Sequence, residues 1–210
     1  MGDGVDMSRF SDYWASQCGN PRGIVGRLVT WAMNRTNKVM YNGIIENMRQ
    51  SKGMKVLDIG FGNGYLDALI YRKEQCTICG IDISEDMVKL ASEKNQKGIE
   101  NGDIHYAAGD CCDLTFENQV FDIVVTMNTI YFWNDTIKGL QEIYRVLKDG
   151  GVFYNAVLTK ENLDKLFYTK NRFKKFEKHE YFEMGQKIGF NKISFKNLGN
   201  YGLLIIYEKQ

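Results

Sequence analysis

VLDIGFGNGYLDALI, residues 56–70, decides the fold. Val56, Leu57 and Ile59 make the apolar run of a buried strand, and Leu66, Leu69 and Ile70 recur at helical spacing. The segment therefore predicts a strand, a glycine loop and a helix start. Gly60, Gly62 and Gly64 occupy alternate positions in the loop. Glycine admits a positive φ and lets a ligand lie against bare main chain, while the first free N–H groups of the following helix favour a negatively charged group. Asp58 narrows the choice: a carboxylate aimed at that mouth repels phosphates and welcomes a cationic amine or a pair of hydroxyls.

Outward from this stretch the same alternation continues. Strands are expected near 54–59, 77–82, 103–108, 120–127 and 150–158, with helices near 64–74, 85–97 and 135–148, which is an α/β pattern with five parallel strands. A helix near 179–188 then precedes NKISFKNLGNYGLLIIYEK, two apolar strands around an Asn/Gly turn, so the sheet gains an antiparallel hairpin at its edge. Residues 1–50 carry helical periodicity in GRLVTWAM and KVMYNGIIENM, with Pro21 just ahead, and predict a helical lid or flank on a core of residues 51–210. A chain of 210 residues, 44% hydrophobic and 25% charged, builds one core rather than two, so a single domain is expected.

A formal net charge of +1 gives no broad field for a polyanion, and a nucleic-acid partner would need a local patch. The stretch TKNRFKKFEKHE, 169–180, mixes bases with aromatics, but its glutamates dilute the charge and a solvated helix face is the expectation. No apolar run has the length of a membrane helix, and MGDGVDMSRF lacks the regions of a signal peptide, so a cytoplasmic protein without a membrane partner is expected, its oligomeric state open. Five cysteines, an odd number, argue for thiols. Cys76 and Cys79 form a CxxC with no second pair, and Cys111 and Cys112 are adjacent rather than spaced around one ion, so no metal site is expected.

These motifs, from roughly residue 54 to 208, resemble the class I S-adenosylmethionine-dependent methyltransferases, with their Rossmann-like seven-stranded sheet. VLDIGFGNGY is similar to that family's first motif, whose GxGxG spacing differs from the GxGxxG of nicotinamide folds. GIDIS at 80–84 resembles the acidic end of the second strand, and AGDCCDL at 108–114 the adenine-binding segment. FDIVVTMNTIYFW and RVLKDGGVFY resemble strands four and five of small bacterial members near the ubiquinone and menaquinone methyltransferases. Asp149 stands where the family usually has proline before paired glycines.

The resemblance implies S-adenosylmethionine as cofactor and a role for each matching residue. Asp58 would lie near the amino-acid ammonium, beside Gly60, Gly62 and Gly64. Asp82 would accept from both ribose hydroxyls, its alternative role being to cap the helix after Ser84. Asp110 would accept from the adenine amino group, with the Cys111 N–H meeting a ring nitrogen. Ile83 and Met87 would flank the ring or belong to the core, and Asn128 would face the methionine portion.

Tyr131 and Trp133, after the fourth strand, are expected to line the acceptor site unless they pack under the next helix. Tyr13, Trp14 and Asn34 are expected to close over the site from the amino-terminal segment. No catalytic base is assigned, and His105 and His179 read as structural. Methyl transfer to a small molecule, at an N, O, S or C atom, is the expected reaction. A noncatalytic S-adenosylmethionine-binding module, a nicotinamide oxidoreductase and an RNA methyltransferase are the alternatives.

Overall fold

The computed structural model describes residues 37–170 and 173–210. One seven-stranded sheet organises the chain. Its strands are β1 (Lys55–Ile59), β2 (Thr77–Asp82), β3 (Ile104–Ala108), β4 (Phe121–Met127), β5 (Leu147–Leu158), β6 (Lys192–Leu198) and β7 (Gly202–Glu208). They lie in the order β3-β2-β1-β4-β5-β7-β6. The first five pair in parallel, and β7 enters antiparallel between β5 and β6, which is the expected hairpin. The order reverses between β1 and β4, and in open α/β sheets a crevice opens at the carboxyl ends of the strands beside such a reversal.

Alternate residues along each strand feed opposite faces. Leu57, Val124, Phe153, Ile205 and Tyr207 join one apolar cluster, with Leu140, Ile143 and Val146 of α5 (Thr136–Val146) and Tyr181 of α7 (Lys178–Ile188). Val56, Ile123, Val125, Tyr154, Leu204 and Ile206 join the other. That cluster also takes in Met40 and Ile44 of α1 (Lys38–Asn47) and Leu66 and Ile70 of α2 (Tyr65–Lys73). Helices on both faces make three layers, and the central strands are buried almost throughout. Of the expected amino-terminal flank, α1 is the described part; it packs on β5, β6 and β7, where Gly43 admits the Leu198 side chain.

Three boundaries differ from expectation. The helix expected over 85–97 divides into α3 (Glu85–Lys94) and α4 (Gln96–Glu100) at Asn95, whose backbone is non-helical (φ −107°, ψ 23°) and whose amide bonds Gly64 O, Ala91 O and the Tyr106 hydroxyl. The helix expected to 148 ends at Val146, and its last carbonyls accept from Gln119 and Val120 N–H as the chain turns directly into β5. A short helix, α6 (Lys160–Asp164), begins at Thr159, whose hydroxyl caps Asn162 N. Among the described residues no helix is long and apolar enough to cross a membrane.

Candidate active site

Asp58 ends β1, Asp82 ends β2, and Asp110 follows β3, so three carboxyls stand in a row along one edge of adjacent strands. The register steps them outward: Asp58 pairs with Gly80, two residues before Asp82, and Asp82 pairs with Ala108, two residues before Asp110. The glycine loop crosses in front of this row. Gly60 and Gly64 hold φ of +72° and +67° where added methyl groups would strike Thr129 and, at 2.5 Å, Asn95 Nδ2. Gly62 is different. Its φ is +56°, yet a Cβ there would meet no atom of the described residues within 4 Å, so among them the middle of the loop faces open space.

Asp82 holds that loop. Its Oδ2 accepts from Gly62 N and its Oδ1 from Ser84 N, both at 2.9 Å. Burial pushes its pKa up, and the two N–H donors hold it back. The helix-start role and the loop role thus fall to one carboxylate, and with about four acceptor sites it keeps about two for a ligand's hydroxyls. Ile83, next in sequence, is 57% exposed, whereas Met87 is buried with Phe61 and Ala91 beneath the loop.

Asp58 is buried, not bare at the mouth. It faces Asp67 of α2, a residue the sequence reading passed over. Burial first, then the charge and hydrogen bond of Asp67, push the Asp58 pKa well up, so the pair shares one bridging proton. Burial raises Asp67 to about 6 against the pull of its hydrogen bonds to Tyr106 and Asp58. The Tyr106 hydroxyl donates to Asp67 Oδ2 at 2.8 Å and accepts from Asn95 Nδ2 at 2.9 Å, while Asn95 also holds Gly64 O at 3.0 Å. The available signal was an acid within the apolar run YLDALI.

Asn128 follows β4 with φ of +58°, a conformation asparagine tolerates better than most residues. Its Nδ2 reaches Asn37 Oδ1 at 3.3 Å and its Oδ1 accepts from the Tyr131 hydroxyl at 3.1 Å, tying the start of α1 to the end of β4. Tyr131 and Trp133 are both buried. The Tyr131 ring stacks on Phe173, and its hydroxyl accepts from Leu158 N at 2.5 Å. Trp133 lies over Gly139 of α5 and donates from Nε1 to Thr129 Oγ1 at 3.2 Å. Packing against the next helix thus engages Trp133, while Tyr131 packs on Phe173. Tyr13, Trp14 and Asn34 lie outside the described residues.

Asp110 is half-buried and accepts from Cys112 N at 2.9 Å and, at 3.5 Å, from Asn134 Nδ2. Cys111 and Cys112, adjacent in sequence, stand together beside Asp110. A turn closed by Asp113 N on Asp110 O brings both thiols and the Asp110 carboxylate to within 4.8 Å of one another. Burial, with Cys112 and Asp110 nearby, pushes the Cys111 thiol well up. In the basic stretch, Lys174 Nζ donates to Trp133 O and Asn134 O and Lys175 pairs with Asp164, so both cations are engaged. His105 lies in β3 and His179 in α7, as expected.

A family model described as "Methyltransferase domain" matches residues 57–155, from β1 through β5. The uncharacterized methyltransferase YdaC of Bacillus subtilis is 30% identical over 122 residues, 58% of this chain and 65% of that protein. A demethylmenaquinone methyltransferase of Bacteroides fragilis is 33% identical over 105 residues, 50% of this chain and 43% of its own length. The chain thus spans under two thirds of either relative. Among solved structures, a chain of the complex between the Haloferax volcanii Trm112 methyltransferase activator and a methyltransferase superposes with a TM-score of 0.76 at 22% identity. It covers 94% of this chain and 96% of its own. The motif match, the strand order and these relatives agree: residues 57–155 match a methyltransferase domain, and the sheet has the class I S-adenosylmethionine-dependent methyltransferase fold.

Proposed function

We propose that this chain binds S-adenosylmethionine along the carboxyl ends of β1, β2 and β3 and directs its methyl group to a small-molecule acceptor. The observation that carries the reading is the row of Asp58, Asp82 and Asp110 beside a loop that is open at Gly62. The residues fit the cofactor. Asp82 retains lone pairs for a diol, exposed Ile83 offers an apolar face beside it, and half-buried Asp110 can receive an amino group. The carboxyl pair of Asp58 and Asp67 can surrender its bridging proton when a cationic ammonium arrives.

Bound there, S-adenosylmethionine supplies a methyl group already activated by a sulfonium leaving group. The chain's own task is then to bind, orient and exclude water, and orientation alone supplies about 7–11 kcal/mol in favourable cases. A small molecule is favoured as acceptor by the demethylmenaquinone methyltransferase among the relatives, and a formal net charge of +1 gives no broad field for RNA. Incubation of the purified chain with methyl-labelled cofactor and fractionated cell extract tests this. Label in the small-molecule fraction supports the reading; label confined to RNA or protein, or absent from every fraction, overturns it.

A further inference from the structure

We propose that Asp110, Cys111 and Cys112 form a binding site for a thiophilic divalent cation of the zinc and cadmium class. The two Sγ atoms lie 3.9 Å apart. Two sulfurs each about 2.3 Å from a tetrahedral zinc ion stand about 3.8 Å from one another, so the thiols already hold the bite of a bidentate ligand. A disulfide would require them to close to about 2.05 Å. The third donor is the Asp110 carboxylate, within 4.8 Å of both sulfurs and held in place by Cys112 N. Asp110 is the half-buried member and gives the entry path, while both sulfurs are buried at the margin of the cluster that contains Ile81, Leu114 and Trp133.

Binding balances simply. The cation replaces the two thiol protons, which pass to solvent, and the two thiolates with one carboxylate leave a fourth position open to water or a solute. Zinc with three protein ligands keeps such an open position, whereas a closed structural site has four. Cys76 and Cys79 are not part of this group, and Cys76 lies in the other apolar cluster.

The cation would sit on the same carboxylate that the proposed function assigns to adenine, and on that reading the two ligands exclude one another. Occupancy by the cation would then be an off-state of the enzyme. The site itself does not depend on that reading.

Cadmium titration of the reduced full-length chain, followed by the ultraviolet thiolate-to-cadmium charge-transfer band, tests the site. The band is expected in the wild type and in Cys76→Ser, and lost in Cys111→Ser and Cys112→Ser. Asp110→Asn, which keeps both thiols, should weaken cadmium binding about tenfold or more while thermal melting confirms the fold. A band that survives both cysteine variants, or that never forms, overturns the site. S-adenosylhomocysteine added to the cadmium-loaded chain separates the two proposals. Mutual displacement supports both, and a persisting band with undiminished nucleoside affinity removes adenine from Asp110 while the cation site stands.

Discussion

Asp58 and Asp67 meet as a buried carboxyl pair beneath the glycine loop, one from the end of β1 and the other from the first turn of α2. Two carboxylates removed from water cannot both stay ionised at close range, so the pair shares one proton, and Asp67 Oδ2 accepts from the Tyr106 hydroxyl. The pair links the strand that carries the motif to the helix that follows it, and through Tyr106 and Asn95 to Gly64.

The pair makes stability depend on pH in a definite direction. A carboxyl whose pKa is higher in the folded chain than in the unfolded one favours folding below its unfolded value, near 4. It loses that contribution as pH rises through the folded value. Asp67, raised to about 6, should therefore withdraw stability between about pH 4 and 6, and Asp58, also raised, acts in the same direction. Thermal melts of the ligand-free chain should show the decline, and Asp67→Asn should flatten it between pH 4 and 6. An identical slope in the variant would remove the pair from the account.

Uptake of an ammonium-bearing ligand beside Asp58 should release the bridging proton. Calorimetric titration of S-adenosylhomocysteine in buffers of different ionisation enthalpy should then give binding enthalpies that track the buffer, and the dependence should shrink in Asp67→Asn. Enthalpies that ignore the buffer would contradict it.

The glycines should separate by role. Gly64→Ala places a methyl 2.5 Å from Asn95 Nδ2 and 2.9 Å from Ala91 Cβ in a left-handed conformation, and should destabilise the fold by about 2–4 kcal/mol. Gly62→Ala carries the conformational cost of about 1–2 kcal/mol alone, because its methyl enters open space. It should fold yet bind nucleoside poorly, and equal melting losses in the two variants would refute the distinction.

Tyr131→Phe should cost stability rather than chemistry. It leaves the half-buried Leu158 N–H without its 2.5 Å acceptor and removes the donor to Asn128 Oδ1, a loss of about 1–3 kcal/mol. Thermal unfolding should fall while S-adenosylhomocysteine affinity stays within about twofold. A large loss of affinity with normal melting would return Tyr131 to the ligand wall.

Periodicity exposed the strands and helices because each core strand is buried on both faces and each long helix on one, so apolar spacing records the layering directly. Asp82 and the glycine loop were equally legible, since the strand end and the left-handed backbone demand those residue types. Asp67, Asn95 and Tyr106 were not, for their meaning lies in a hydrogen-bond chain across α2, α3 and β3 that no local spacing encodes. The two thiols beside Asp110 escaped for a related reason: sequence spacing rules assume extended ligands, and a tight turn supplied the approach instead. Tyr131 and Trp133 show the converse, as their position at the sheet edge matched a ligand wall while Phe173 and α5 had already covered them.

The central claim is that a nucleoside lies along the strand ends with Asp82 on its ribose. Isothermal titration of S-adenosylhomocysteine into the wild type and Asp82→Asn tests it most directly. One site per chain is expected in the wild type, with affinity at least about tenfold weaker in the variant, the loss of a charged hydrogen-bond acceptor being worth about 1.5–3 kcal/mol. Absence of binding to the wild type, or equal affinity in the two proteins, would contradict the account.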